Sequence, residues 1–466
     1  MNYRELTDEN LIKFIEDKMA SYSSTISKMQ ENINYYKGKH DILKKRRIVI
    51  GKEGKPSTIN NLPNSRIVDN QFKKAVNQKV SYLFSNEPTV TCDEDEQYQE
   101  QVKEDIYNKK SMRTLNKTAL DSYLCSIAWW YIYIDETGQE LKFKKMDPVE
   151  IIPVWEDSSH ESLSAVIRPY VEEYVEEGKI KKKERLDFYT DEEIIQFERE
   201  NGGKLKKVDS VAYISTEDEK YYSFGKIPFV YFKSNSMEET LLDRCKTLQD
   251  AINTILSNFQ DNMLEDPRNT IIVLKNYDGQ DLGEFRQNLA QYGAVKVRTE
   301  DGSQGGVDTL QVDVNSENYK AILEILKEKL IENVAGIDGK NNRSSNAPNE
   351  LNIKLMYSDI SLDANATELE FQASLSHLEY FYKKIKGVND AKLECDIKFN
   401  RNEMVMESAV VENVAKLTGI LSREGQLEKI PGIDPQIELE RLKGEEEQEV
   451  EDRVYPPNLF DRFKEE

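Results

Sequence analysis

The sequence predicts an α+β fold, mainly helical. Three observations carry this. Apolar residues recur at steps of three and four in several long stretches. One central block, from Trp129 to about Asn235, is instead rich in aromatic and β-branched residues and punctuated by glycines. A polar segment, "AGIDGKNNRSSNAPNE" (Ala335 to Glu350), separates two stretches that both read as long helices.

The first helix starts near Thr7 or Asp8. Tyr22, Ile26, Met29, Ile33 and Tyr36 form its apolar stripe, and Gly38 is a natural C-cap. "KGKHDILKKRRIVIGKEGK" (Lys37 to Lys55) follows, a basic stretch that reads either as a solvated loop or as a patch facing nucleic acid or a partner. "NSRIVDNQFKKAVNQKVSYLF" is helical by period, and "CDEDEQYQE" is an acidic turn or helix start. In the central block, hairpins are expected around Thr137-Gly138, Gly178 and Gly202-Gly203, and "GKIPFVYFKSN" closes the β-rich part.

The most regular segment comes next. Ser236 with Glu239 is expected to form a capping box. Leu241, Cys245, Leu248, Ile252, Ile255 and Phe259 then step by four and three until Pro267. This predicts about 28 helical residues, about 42 Å long at ~1.5 Å per residue, packed sideways through one stripe. Residues 267–314 turn β again, with a strand at "NTIIVLKNY", a short helix at "DLGEFRQNLAQY" and two strands around a Gly-rich turn. A module this small has a marginal core of its own. A second long helix carries Tyr319, Ile322, Leu323, Leu326 and Leu330 on one face. After the polar segment a third runs for more than 35 residues, with a bend expected near Ser361 to Asn365. "LECDIKFN" is a strand, and the C-terminal region is helical with an acidic end.

With 466 residues, two to four domains are expected. No apolar run is long enough for a transmembrane helix, and no secretory signal opens the chain. Cys92, Cys125, Cys245 and Cys395 lie far apart, which fits reduced thiols better than a disulfide framework. The net charge of −22 argues against a protein built to grip DNA tightly. His40, His160 and His377 have no His or Cys partner at metal spacing. "GKEGKPST" (Gly51 to Thr58) has the wrong spacing for a phosphate-binding loop, and Pro56 follows Lys55. No nucleophile or hydride-transfer motif is present, so a non-enzyme without cofactors is expected.

Taken in order, several phrases resemble the portal proteins of tailed bacteriophages, in the branch typical of siphophages of Gram-positive hosts. They are "NINYYKGKHDIL", "KVSYLFSNEPTV", "MDPVEIIPVWED", "FGKIPFVYFKSN", "VAGIDGK", and "IKFNRN" followed by "LTGILSREGQL", and together they cover nearly the whole chain. One departure is at Pro348 to Asn352, where family members often carry a Ser-Gly-x-Ala step.

The resemblance implies a portal fold with wing, stem, clip and crown, and a tunnel loop between two long helices. Residues 1–235 would form the wing, 236–266 and 315–337 the stem helices, and 267–314 the clip. Residues 338–350 would form the tunnel loop, 351–401 a long bent helix and strand returning to the wing, 402–444 the crown and 445–466 an acidic tail. It implies a homo-oligomeric ring, a dodecamer, at one capsid vertex of the virion, assembled in the bacterial host cytoplasm, with no membrane. Double-stranded DNA would pass through its channel during packaging and ejection. Its expected partners are the terminase large subunit, the head-completion adaptor, the scaffolding protein and the major capsid protein. The tunnel loop would contact DNA phosphates through Lys340, Asn341, Asn342, Arg343 and Asn346. The clip tip facing terminase or adaptor would be Glu300, Asp301, Gly302, Ser303, Gln304, Gly305 and Gly306. Leu241, Cys245, Leu248, Ile252, Ile255 and Phe259 would pack the stem. Two other classes are a packaging ATPase, which needs a phosphate loop the sequence lacks, and a non-channel scaffold or adaptor of the virion head.

Overall fold

A computed structural model describes residues 3, 6–50, 56–58, 62–92, 95–135, 140–176, 179–199, 203–215, 221–265, 271–275, 306–310, 316–338, 350–388, 393–403, 414–427, 429–430, 435, 437–439 and 441–445. The chain forms two compact units, residues 1–337 with 360–401, and residues 338–359 with 402–466. Helix and strand are mixed, as expected.

In the first unit, helix α1 (Asp8–Tyr36) starts where Thr7 caps it, its side chain accepting from the Asn10 amide. It ends at Gly38, whose φ of 82° is the left-handed conformation that glycine adopts cheaply. The basic stretch begins with a short helical turn (Asp41–Lys44) and strand β1 (Ile48–Ile50), which pairs with β2 (Pro56–Thr58). Helix α2 (Gln71–Phe84), strand β3 (Thr89–Cys92), helix α3 (Glu96–Asp105) and helix α4 (Lys109–Cys125) follow.

Three hairpins form where glycine-centred turns were expected. Strand β4 (Ile127–Ile134) pairs with β5 (Leu141–Met146), β7 (Leu163–Glu176) with β8 (Lys179–Tyr189), and β9 (Glu193–Arg199) with β10 (Lys206–Ala212). With β6 (Ile152–Trp155), the last four make a five-stranded antiparallel sheet in the order β10-β9-β8-β7-β6. Strands β11 (Ile214–Ser215) and β12 (Tyr221–Tyr222) form a small ladder. Strand β13 (Phe229–Lys233) adds to β4, giving a three-stranded sheet β13-β4-β5.

Period-two alternation puts the two sheets on either side of a shared core. Ala165, Ile167 and Phe188 join Leu11 and Ile15 of α1 in one cluster, while Val166 and Tyr189, the next residues along, join Trp129 and Phe229 in another. The five-stranded sheet is thus covered by α1 on one face and by the small sheet on the other. Strand β4 is buried on both faces and reads as a continuous apolar run. Trp130 faces away from the large sheet, and its indole N–H donates to Thr118 of α4 at 2.6 Å.

Helix α5 (Lys246–Glu265) leads to strand β14 (Ile271–Lys275), which pairs antiparallel with β15 (Gly306–Leu310). Helix α6 (Ser316–Asn333) and helix α7 (Glu350–Lys386) flank the polar segment, and α7 is continuous through Ser361 to Asn365. Strand β16 (Cys395–Lys398) returns to pair with β3. The second unit contains the first turns of α7, a bridge between Thr418 and Leu421, and helix α8 (Arg423–Leu427).

Two expectations are corrected. Cys92 and Cys395 are bonded as a disulfide. They are 303 residues apart in sequence, yet the antiparallel β3–β16 register sets them directly opposite, with Cα atoms 4.4 Å apart. Only Cys125 and Cys245 are free, and both are buried. Second, the α5 helix starts ten residues after Ser236, and the Ser236–Glu239 capping box does not form. Asn235 takes that role differently: its side chain accepts from the Glu239 amide and donates to the Glu239 carbonyl, closing a turn in which Glu238 has a φ of 55°. A further polar contact comes just after it, where Asp243 accepts from both the amide and the hydroxyl of Thr240 at 3.0 and 2.7 Å.

Candidate channel and stem site

Helices α5 and α6 lie side by side and antiparallel. The Phe259 and Tyr319 rings are 5.0 Å apart, Asn262 donates to the Tyr319 hydroxyl at 2.9 Å, and at the opposite end Asn333 donates to the Arg244 carbonyl at 3.4 Å. Of the expected stem-packing residues, Leu241, Cys245 and Ile252 are buried, while Leu248, Ile255 and Phe259 are half-buried. The stripe expected to await a partner is therefore met in part within the chain, at Phe259.

A second face of α5 is buried and polar, and the apolar spacing gave no sign of it. Gln249, Asn253, Ser257 and Asp261 recur every four residues, each at most 5% exposed. They hydrogen-bond to the extended segment before α2 as a neighbouring strand would. The amides of Ser65, Ile67 and Asp69 donate in turn to Asp261 (2.6 Å), Ser257 (2.9 Å) and Asn253 (3.0 Å), and the Phe72 amide donates to Gln249 (2.9 Å). Asn253 also bonds the buried His40 at 2.8 Å, and Lys45 pairs with Asp261 at 2.9 Å. Lys45 belongs to the basic stretch, so part of that stretch serves the fold. The signal available in sequence was the i, i+4 run of amides, a hydroxyl and a carboxylate, which need partners when buried.

Burial works against the charge of Asp261, but the Ser65 amide and the Lys45 ammonium outweigh it and hold the carboxyl below its ordinary range. A depressed folded-state pKa contributes stability above the unfolded-state value, and that stability is lost as pH falls through the lower folded value. Asn253→Leu is expected to cost about 1–3 kcal/mol for each buried group it orphans. The neighbouring exposed Thr254→Ala is expected to stay within about 0.5 kcal/mol. Urea unfolding of the two variants checks this.

Helix α6 ends in a left-handed residue that is not glycine. Ala335 has a φ of 48°, with its amide donating to Glu332 and the Gly336 amide to Ile331. The expected tunnel-loop residues Lys340, Asn341, Asn342, Arg343 and Asn346 lie outside the described residues. So do Glu300, Asp301, Gly302, Ser303, Gln304 and Gly305 of the expected clip tip, together with the short helix expected before it. Gly306 is described and opens β15, opposite Lys275.

Among the described residues, several large apolar side chains of α6 and α7 stay exposed. Ile322 and Ile325 on α6 are 47% and 55% exposed, and Leu362 and Leu369, seven residues apart on α7, are 68% and 67% exposed. Exposed apolar residues at helical spacing form a surface suited to another protein. Among the described residues no group of three or more His, Cys, Asp or Glu is placed to hold a metal, and no helix is long and apolar enough to cross a membrane.

Residues 15–452 match the family described as phage portal protein, SPP1 Gp6-like. The chain is 28% identical over 445 residues to the portal protein of Clostridium phage phiCD119, covering 93% of this chain and 96% of the relative. It is 25% identical over 443 residues to the portal protein of Bacillus phage SPP1, covering 90% and 84%.

Proposed function

Because the chain belongs to the SPP1 Gp6-like family of phage portal proteins, we propose that it builds the ring at one vertex of a capsid through which double-stranded DNA enters and leaves. The protein is a structural component of a virion and not an enzyme. The observation that carries this is the family match across residues 15–452, which spans the helical start, the β-rich middle and the long helices alike. The exposed apolar residues of α6 and α7 support it, because a ring supplies the cover that the isolated subunit lacks.

Within that ring, residues 1–235 with the returning α7 and β16 form the wing, α5 and α6 the stem, 267–314 the clip, 338–350 the tunnel loop and 402–444 the crown. The ring has twelve subunits and assembles in the host cytoplasm. Its clip meets the terminase large subunit during packaging and the head-completion adaptor afterwards, and its outer surface meets scaffolding and major capsid proteins. The small β14–β15 module fits such a role, because a module too small for a full core can be completed by neighbouring copies. Net charge of −22 suits a conduit that lets DNA slide. Each phosphate contact adds affinity, and a basic wall would stall the duplex.

Deleting residues 300–305 is expected to leave rings intact and to block packaging or tail attachment. Particle counts by electron microscopy and nuclease-protected DNA measure the two effects. Normal packaging with normal tails would overturn the assignment of the clip tip.

A further inference from the structure

The chain leaves the first unit after Ile337 and returns to it at Ile360. Both junctions are tied to one cluster of charges. Lys79 of α2 is 2% exposed. Its ammonium donates to Asp363 Oδ2 at 2.6 Å and to the Ala335 carbonyl at 3.4 Å. Arg244, in the turn before α5, donates to the other carboxylate oxygen of Asp363 at 2.7 Å. The neighbour of Lys79, Gln78, donates to the Ile337 carbonyl at 3.1 Å. One turn of α2 therefore holds Ala335 and Ile337 at the exit and Asp363 at the re-entry. Burial disfavours the Asp363 charge, but Lys79 and Arg244 outweigh this and hold its carboxyl below the ordinary range.

We propose that Lys79, Arg244 and Asp363 are positioning residues that clamp the two ends of segment 338–359 and so set where the DNA-contacting loop sits. This rests on the tunnel-loop reading above. A buried ammonium is costly without its counter-charge, which holds Asp363 at the re-entry, and the same ammonium together with Gln78 ties the exit through the Ala335 and Ile337 carbonyls. The exit also carries Ala335, whose left-handed φ of 48° is costly for a residue other than glycine and is sustained by its contacts. A pair serving stability alone could join any two elements. This one joins α2 to both sides of a single segment, and Gln78 repeats the contact.

The test is the double variant Lys79→Met with Asp363→Leu. Replacing both buried partners by apolar residues is often neutral for stability, and Arg244, whose side chain is 27% exposed, keeps Glu239 at 3.9 Å as a counter-charge, so melting and ring mass are expected to stay near the parent's. Tryptic cleavage after Lys340 and Arg343 in the assembled ring, followed by mass spectrometry, is expected to accelerate about tenfold as the clamped ends open locally, and packaged DNA is expected to fall. Parent-like cleavage in a stable double variant would overturn the clamp. Faster cleavage with normal packaging would support the clamp and overturn the DNA role of the loop instead. Gln78→Ala, which removes only the Ile337 contact, provides a milder variant. Several-fold faster cleavage supports the clamp, and an unchanged rate counts against it.

Discussion

Ile322→Asp combined with Ile325→Asp is expected to convert the assembled ring into folded subunits of 54.1 kDa. Both side chains stand on α6 about half exposed, so nothing in the subunit's own core depends on them. Substitutions at such positions usually change stability by no more than about 0.5 kcal/mol. In the proposed ring the same residues would be interface core, where an aspartate buried without a partner costs about 3 kcal/mol or more. That is on the order of a hundredfold in the affinity of each contact, and a closed ring carries the same lesion at every interface. Light scattering gives the mass, and far-ultraviolet circular dichroism shows whether the subunit remains folded. A full-sized ring from the double variant would remove α6 from the interface. The α5 stripe is a poorer probe of assembly: Phe259 already packs on Tyr319 of the same chain, so charges placed there damage the subunit first.

The second large effect is expected at Lys340→Glu with Arg343→Glu. The segment from Gly336 to Glu350 holds only Ile337, Ala347 and Pro348 as apolar residues, so altering it removes almost no buried surface. Melting is expected to move by no more than about 0.5 kcal/mol in stability, and ring mass is expected to stay unchanged. Toward DNA the change is of a different size. In the proposed channel, two phosphate contacts per subunit would become two repulsions, with every copy acting on the same duplex. Packaged or retained DNA is expected to fall by about tenfold or more, with the larger loss at low salt, where phosphate interactions are least screened. Packaging equal to the parent's would show that the segment does not grip DNA through its charges.

Much of the fold was legible because its signals are local. The turns at Gly178 and Gly202-Gly203 with alternating apolar residues gave the β7–β8 and β9–β10 hairpins, and Thr7 and Gly38 bounded α1. Helix α4 was not legible. Its buried face mixes Leu115, Ala119 and Tyr123 with Ser111, Thr118 and Ser122, so no apolar stripe stands out. The polar ladder of α5 was hidden for a related reason: a stripe of Gln, Asn, Ser and Asp looks solvated until the strand-like segment from Ser65 to Asp69 is found to bond it. The Cys92–Cys395 disulfide depends on a strand pairing across 303 residues, which spacing alone does not reveal. The Lys79–Asp363–Arg244 cluster was equally illegible, since its members come from two helices and a turn far apart in sequence. Of the proposed functional residues, the stem stripe was visible as periodicity, whereas the loop and clip tip rested on resemblance.

Closure of this chain into a ring around a channel is visible in negative-stain images of the purified, assembled protein. End-on views of a closed ring with a stain-filled central hole wide enough for a DNA duplex are expected. Monomers, solid bundles or open filaments without a hole, from protein that is folded and concentrated, would contradict it and favour the scaffold or adaptor reading.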